Sequence, residues 1–241
     1  MSKEAIDAVN TRLVEHFKEA GIENACYYQP VSEDYWANDH KKIAFCNLET
    51  YSTREDSDKI QGIVPVNEER LYMHLFFGKT TEKTFILNYA LSRRLYENQE
   101  TTEDTMLDLR DDIKENGELW HRKLCDDFNK SLYFNCRYTQ SSTVNEDKWH
   151  TINAYCSDSF YAQHYKDFVK AAEIEVLVLG GRKVLEVVTH VYPELKGKLT
   201  FCGEPILYDG VLFVSMAHPA ARKNMYLEMA SVVNKIAKAM K

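Results

Sequence analysis

Three polar side chains of this chain follow short apolar runs of the kind that form buried β-strands. Glu49 comes soon after Ile43–Cys46, Asn135 ends a second run, and His218 follows Val211–Met216. A carboxylate can stabilise a developing cation, an amide can read a hydrogen-bonding edge, and an imidazole can donate to a leaving group. If the runs are parallel strands of one sheet, their carboxyl ends meet at one edge, where open α/β sheets bind ligands. Together the three side chains describe a pocket that can read and cleave a ligand.

Each of these features also has an ordinary structural explanation. A glutamate after a strand is commonly a solvated loop acid, and an asparagine commonly ends a strand or forms a turn. His218 can simply cap the helix that follows Pro219. Gly180-Gly181, after a third apolar run, resembles half of a phosphate-binding loop, but neither nucleotide-binding glycine motif follows it. The functional interpretation therefore depends on the strands lying side by side.

Short apolar runs alternate with helical patterns along the chain, which predicts the elements that would position these residues. The predicted strands are Ile43–Cys46, Ser131–Asn135, Val176–Leu179 and Val211–Met216. The predicted helices are Lys3–Ala20, Asn67–Gly78, Thr81–Asn98, an acidic solvated helix within Glu100–Glu118 that continues as an amphipathic helix over Leu119–Phe128, Ser157–Ala172, Arg182–Val191 and Asn224–Met240. A hairpin is expected from Leu199 to the last strand, and residues 24–40 and 138–155 are expected to be loops. This alternation predicts an α/β fold, a three-layer αβα sandwich with a four-stranded parallel sheet.

Composition narrows the class of protein. The chain has 241 residues, of which 44% are hydrophobic and 28% charged, as expected for one globular domain over 1–241 with the helix at 3–20 added to its core. A net charge of −7 argues against a general nucleic-acid coat protein. The six cysteines form no C-x-x-C pair, which predicts reduced thiols and no metal site. No signal peptide or membrane-length apolar run is found, so a cytoplasmic protein without membrane contact is expected.

Four motifs in this order resemble those of the uracil-DNA glycosylase superfamily. Asn47–Tyr51 matches the motif after the first strand, and Leu132–Asn135 matches the strand that ends in Asn. Val176–Gly180 matches the strand ending in Leu-Gly, and His218–Ala220 matches the His-Pro-Ser loop. The resemblance covers roughly Ile43 to the C-terminus. It implies a glycosylase-like sheet in which the four predicted strands stand in the order second, first, third, fourth.

The chain departs from the family pattern at several motif positions. Asn47 stands where the family has Gly, Glu49 where it has Asp or Asn, Thr50 where it has Pro, and Ala220 where it has Ser. The segment Arg222–Asn224 is similar to the Arg-Asn segment of the single-strand-selective monofunctional branch, which wedges into nucleic acid. The first motif is therefore altered, whereas the segment after the His loop is closer to the family.

The resemblance implies a role for each matched residue. Glu49 would stabilise an oxocarbenium-like sugar and orient water, and His218 would donate to O2 of the leaving base. The amide of Asn135 would pair with the N3–H and O4 edge of uracil and disfavour cytosine. Tyr51 would wall the C5 position and exclude thymine, and Asn47 would place a side chain beside the edge of the base.

Two further expectations concern partners and cofactors. Arg222 and Lys223 would contact phosphates, and single-stranded DNA is the expected substrate because an acidic surface offers little binding energy for flipping a base from a duplex. No metal or organic cofactor is required. Two functions remain open at this point: an active glycosylase on uracil or a related damaged base, and a catalytically inactive glycosylase-like binding protein of unknown ligand. The sequence does not indicate an oligomeric state.

Overall fold

The computed structural model describes residues 3–48, 50–51, 61–66, 82–141, 147–218 and 225–241. The helices are α1 Lys3–Glu19, α2 Glu82–Tyr96, α3 Glu103–Glu115, α4 Gly117–Phe128, α5 Asp147–Ser157, α6 Ser159–Ala171, α7 Arg182–Val191 and α8 Met225–Ala239, with 3₁₀ turns at Glu33–Trp36 and Pro193–Leu195. The strands are β1 Ala25–Tyr27, β2 Ile43–Asn47, β3 Thr50–Tyr51, β4 Ile63–Pro65, β5 Ser131–Asn135, β6 Gln140–Ser141, β7 Val176–Gly180, β8 Ile206–Tyr208 and β9 Val211–Met216. The chain is therefore an α/β protein.

The central sheet has five strands in the order β5-β2-β7-β9-β8. The pairs β2–β5, β2–β7 and β7–β9 are parallel, and β8 is antiparallel to β9. The four predicted strands pair parallel with one another, but the sheet is mixed and has five strands rather than four, because β8, the first strand of the predicted hairpin, joins it. Asp209 and Gly210, with φ of 49° and 79°, form the tight turn between β8 and β9. Positive φ at both central residues matches the right-handed twist of paired strands and so favours this hairpin.

Helices pack on both faces of the central sheet. Phe45 of β2 lies against Phe128 of α4, with ring centroids 5.9 Å apart. Phe134 of β5 lies against Phe168 of α6 at 5.2 Å. Phe134 is in register with Cys46, the residue after Phe45, and successive strand residues point to opposite faces, so the two phenylalanines lie on opposite sides. All residues of β2 and β7 are buried, as expected for parallel strands covered on both faces.

Two small parallel pairs stand outside the central sheet. They are β1–β4 and β3–β6, and neither is evident in the sequence pattern. The predicted loop at 24–40 contains β1, and the predicted loop at 138–155 contains β6 and most of α5. Strands of two or three residues carry too little periodicity to be recognised, and each of these pairs with a segment far along the chain.

The acidic helix predicted within Glu100–Glu118 is shorter in the structure, and the amphipathic helix that follows it begins at Gly117. Thr102 caps α3 with its hydroxyl, Thr105 returns a bond to the backbone of Thr102, and Asn116 ends α3 immediately before α4 begins. The cap explains why α3 begins after Glu100, since Ser and Thr satisfy the free N–H groups of a first turn. The helix predicted at Asn67–Gly78 lies outside the described residues.

Candidate functional site

The carboxyl ends of four parallel strands lie side by side along one edge of the central sheet. Strand β5 ends at Asn135 and β2 at Asn47, and these residues are register partners. Strand β7 ends at Gly180, which is in register with Met216 at the end of β9, two residues before His218. We call the positions Asn47, Asn135, Gly180, Gly181 and His218 the carboxyl edge. It is the edge at which open α/β sheets bind ligands.

Asn47 and Asn135 are both buried, and each donates to a tyrosine hydroxyl. Asn47 is 5% exposed, and its Nδ2 donates to Tyr133 Oη at 3.1 Å. Asn135 is 3% exposed, and its Nδ2 donates to Tyr28 Oη at 3.0 Å. Tyr28 in turn donates to the carbonyl oxygen of Arg137 at 3.2 Å. These hydrogen bonds fix the plane of each amide. They also stabilise the fold, because a buried amide without a partner would lower the free energy of unfolding by about 1–3 kcal/mol.

Tyr133 links the two amides from one face of β5. It precedes Asn135 by two residues and therefore points to the same side of the sheet. Burial raises the pKa of Tyr133, while hydrogen bonds from Asn47 and Asn135 lower it in part. The phenol is thus neutral at physiological pH. The cluster can orient two amides toward a ligand, but it supplies no charge of its own.

His218 lies against the turn that follows β7. Gly181 has φ of 113°, and a Cβ built on it would stand 3.7 Å from the Cβ of His218. The N–H of Gly181 donates to the carbonyl of Met216 at 2.8 Å, which joins the end of β7 to the end of β9. Only glycine adopts this backbone geometry without strain, so the turn is fixed beside the histidine. The Gly180-Gly181 turn and the loop that carries His218 are therefore in contact at the carboxyl edge.

Glu228, in the first turn of α8, holds the backbone next to His218 and was missed by sequence reasoning. Its Oε1 accepts from the N–H of Ala217 and from the Cys202 thiol, the latter at 3.2 Å. Burial, together with this bond to Glu228, raises the pKa of Cys202 to about 11. The only sequence signal for this role is an acidic residue in the first turn of a helix. Acidic residues are common there because they interact favourably with the helix dipole.

Several predicted site residues lie outside the described part of the chain. These are Glu49, Arg222 and Lys223, and of Tyr51 only the backbone, in β3, is described. Among the predicted residues, the structure brings Asn47 and Asn135 together as register partners. It also brings His218 against Gly181. His218 follows β9, and strands β2 and β7 lie between β9 and β5, the strand that ends at Asn135.

An aromatic cavity of about 140 Å³ opens just beyond the end of β5. Its walls include Phe17, Tyr138, Tyr155 and Tyr161, and Arg137 supplies a cation. A cavity of about 150 Å³ is enough to hold one benzene ring, so this space fits a single flat ring. The sequence shows these aromatics only as scattered residues of helices and loops, which is why the cavity was not predicted.

The described residues form no cluster of three or more His, Cys, Asp or Glu side chains suited to hold a metal ion. No helix in the described ranges has the length and apolar character needed to cross a membrane. Comparison of the chain with models of known protein families and with curated proteins found no match.

Proposed function

We propose that this protein hydrolyses the N-glycosidic bond of uracil, or of a related damaged base, in DNA. One observation carries the proposal: strands ending at Asn135, Asn47, Gly180 and Met216 lie side by side and parallel, so an amide pair and a histidine share one edge. The motif resemblance of the sequence supports the same function. The proposal is tested chemically, by release of the base.

In this proposal Asn135 reads the base. Its side chain has one acceptor oxygen and two N–H donors, and one N–H is directed to Tyr28. The amide oxygen would accept from N3–H of uracil, while the second N–H bonds the hydroxyl of Tyr133. Cytosine presents the reverse pattern and would be disfavoured. The bond to Tyr28 supports this role because it holds the amide plane before the base arrives, which reduces the cost of ordering.

His218 and Glu49 would act on the bond that breaks. Departure of the base leaves positive charge on the sugar and negative charge on the pyrimidine. The His218 imidazole would donate to O2 of the leaving base, and the Glu49 carboxylate would stabilise the sugar cation and orient the attacking water. Glu228 supports the histidine indirectly, because it holds the N–H of Ala217. The base must first leave the stack, which costs less in a single strand than in a duplex.

A second function is favoured by one observation at the same edge. The Asn47 side chain is buried beside Asn135 and occupies the position at which the glycosylase motif has glycine. An amide at this point narrows the approach of a base, so the edge would suit a protein that binds a ligand without cleaving it. This alternative is a catalytically inactive glycosylase-like binding protein.

The test is release of uracil from labelled oligonucleotides, followed by alkaline cleavage at abasic sites. We expect wild-type protein to act on single-stranded more than on duplex substrate, since the chain carries a net charge of −7. The variants His218→Ala and Glu49→Gln should each slow cleavage by about 10²–10³-fold. His190→Ala, at a histidine in the last turn of α7, is the matched control and should retain full activity.

The two functions predict different outcomes. Binding of free uracil by wild type without cleavage of either substrate at enzyme excess would support the binding protein and exclude the glycosylase. Cleavage by His218→Ala at the wild-type rate would show that the activity does not reside at the carboxyl edge. If wild type neither cleaves the oligonucleotides nor binds free uracil, the glycosylase and a uracil-binding protein are both excluded.

A further inference from the structure

A second cavity lies at the opposite edge of the central sheet, where β2 and β5 begin. It has a volume of about 260 Å³, and Ile43 and Ser131, the first residues of these strands, line it. We call this the amino-edge cavity. Its charged and imidazole lining consists of Asp39, His40, Lys41, Arg93, Glu97, Asp127 and Lys130. An adjoining groove of about 520 Å³ shares four of these side chains, so the cavity opens into a larger charged surface.

His40 gives the amino-edge cavity a buried acceptor. Its side chain is 5% exposed, and Nδ1 lies 2.8 Å from Oδ1 of Asp39. This bond lowers the pKa of Asp39 from its ordinary value, so Asp39 is a carboxylate that can only accept. In the neutral ring Nδ1 therefore carries the proton and Nε2 is an acceptor. Nε2 is buried and has no hydrogen-bond partner among the described residues.

Arg93 and Lys130 give the same cavity donors. Nη1 of Arg93 pairs with Glu97, but its Nε is buried and has no partner within the described ranges. The guanidinium lies over the ring of Tyr89 at 4.7 Å, which fixes its position. Lys130 lines the cavity and makes no ion pair with any residue that the structure describes, whereas Lys41 pairs with Glu175 at 2.7 Å.

Asp127 provides a fixed carboxyl group in the cavity wall. Its Oδ2 accepts from Asn88 Nδ2 at 3.1 Å, and Asn88 accepts from the Ser131 hydroxyl at 2.6 Å. Burial raises the pKa of Asp127, while a hydrogen bond from Ser92 and the charge of Arg93 lower it in part. The network holds this group in place without any ligand.

Positive and negative groups are therefore balanced around the cavity. Three cationic side chains and three carboxyl groups line it, and the buried atoms without partners comprise one acceptor and one donor. A dianion such as phosphate would meet as much repulsion as attraction here, and an apolar molecule would leave both buried atoms unsatisfied. A small molecule with one positive and one negative group satisfies both.

We propose that the amino-edge cavity binds a free α-amino acid as its zwitterion. The ammonium group would donate to Nε2 of His40 and face the Asp39 carboxylate, and the carboxylate would accept from Nε of Arg93 and face Lys130. The volume fits this class, because a cavity of about 150 Å³ holds benzene and about 260 Å³ leaves room for a larger side chain. The proposal does not rest on glycosylase activity, since it concerns the other edge of the sheet.

The experiment is a titration of isotope-labelled wild-type protein with each of the twenty standard L-amino acids, followed by NMR. At least one should give saturating shifts at residues of the amino-edge cavity, with a Kd in the micromolar to millimolar range. For that amino acid, the amine that lacks the carboxylate and the acid that lacks the amino group should each bind at least about tenfold more weakly, because each loses one charged contact.

Three variants locate the site. His40→Phe, Arg93→Gln and Lys130→Gln should each weaken binding by about tenfold or more. Arg94→Gln is the matched control, since Arg94 neighbours Arg93 on α2 but does not line the cavity, and it should bind like wild type. Lys130→Gln keeps the test valid if loss of the Arg93–Tyr89 contact unfolds α2.

The proposal is overturned if no amino acid gives saturable shifts at this cavity. It is equally overturned if the amine or the acid binds as tightly as the amino acid, which would mean that only one charge is read. Unchanged affinity in Lys130→Gln, or in folded Arg93→Gln, would also overturn it.

Discussion

At the carboxyl edge of the sheet, the side chains of Asn47 and Asn135 donate to tyrosine hydroxyls, whereas in the amino-edge cavity Nε2 of His40 and Nε of Arg93 are buried without partners among the described residues. Both edges belong to the same strands, β2 and β5. A polar group bonded within the protein contributes to folding, and one left unsatisfied costs stability unless a ligand or water completes it. The amide N–H groups at the carboxyl edge therefore have partners within the protein before any ligand binds, whereas the two nitrogen atoms of the amino-edge cavity have none among the described residues.

Two buried histidines extend this comparison. His164 of α6 is surrounded by aromatic rings, with Phe160 stacked at 6.1 Å and Tyr138 edge-on at 5.6 Å. His40 instead lies among charged groups. Burial lowers the pKa of His164 to about 4, although Asp167 opposes the shift. The imidazole of His164 is therefore held neutral by its buried surroundings, whereas the imidazole of His40 faces a polar cavity.

The largest expected effect concerns His164 and acid. Its folded pKa lies below the value of about 6.5 for an unfolded histidine, so between about pH 6.5 and 4 only the unfolded chain binds the proton. Stability from this group is present above pH 6.5 and is lost as the pH falls toward 4, by about 3 kcal/mol in total. Urea unfolding at neutral pH and near pH 4.5 should show a smaller loss in His164→Gln than in wild type.

His16→Gln is the control for this measurement. His16 stacks on Phe160 at 3.9 Å but is partly exposed, so its removal should leave the acid loss close to that of wild type. An equal acid loss in His164→Gln and wild type would mean that the ring is not held neutral by its surroundings.

An intermediate effect is expected from the amide and tyrosine cluster at the carboxyl edge. Tyr133→Phe removes the hydroxyl that accepts from Asn47 and should lower the free energy of unfolding by about 1–3 kcal/mol. A double-mutant cycle with Asn47→Ala should give a coupling energy of about 1 kcal/mol, because the two groups bond directly. Tyr27→Phe is the control, since no described residue bonds to its hydroxyl. Additive losses in the cycle would remove the contrast between the edges.

The smallest effect is expected at the amino edge. His40→Phe removes a buried nitrogen without a partner together with a bond to the exposed Asp39. Deleting an unsatisfied polar atom offsets the lost bond, so the free energy of unfolding in urea should stay within about 1 kcal/mol of wild type or rise. A loss as large as that of Tyr133→Phe would show that His40 is a structural residue.

Local pattern was sufficient for the elements that bear the carboxyl edge. The helix predicted at Arg182–Val191 has those bounds, and Ser131–Asn135 and Val211–Met216 are strands as expected. Their signals are continuous apolar runs and helical periodicity within one segment. The partners of Asn135 were not predictable, because Tyr28 reaches it from a part of the chain that showed no periodicity.

The amino-edge cavity was not predicted for a related reason. His40 lies at the end of a predicted loop, and Arg93 lies on a helix whose sequence signal is its apolar face. Their meeting depends on how α2 packs near the start of β2, which is a tertiary event. Glu228 belongs to the same class, since it bonds to Ala217 from the following helix. Sequence patterns indicate elements, but they do not indicate which side chains from separate elements share a cavity.

The central position of β2 determines when during synthesis this fold can form. Ile43 pairs with Ser131 on one side and with Val176 on the other, so both neighbours of β2 are made long after it. A ribosome that has released only the first third of the chain has exposed the apolar run Ile43–Cys46 with no strand to cover it. By contrast, β7, α7 and β9 form a compact βαβ unit within one short stretch near the end of the chain. That unit can therefore organise as soon as it is made, whereas β2, the earliest strand of the central sheet, stays open to aggregation or to a chaperone until β5 and then β7 are made.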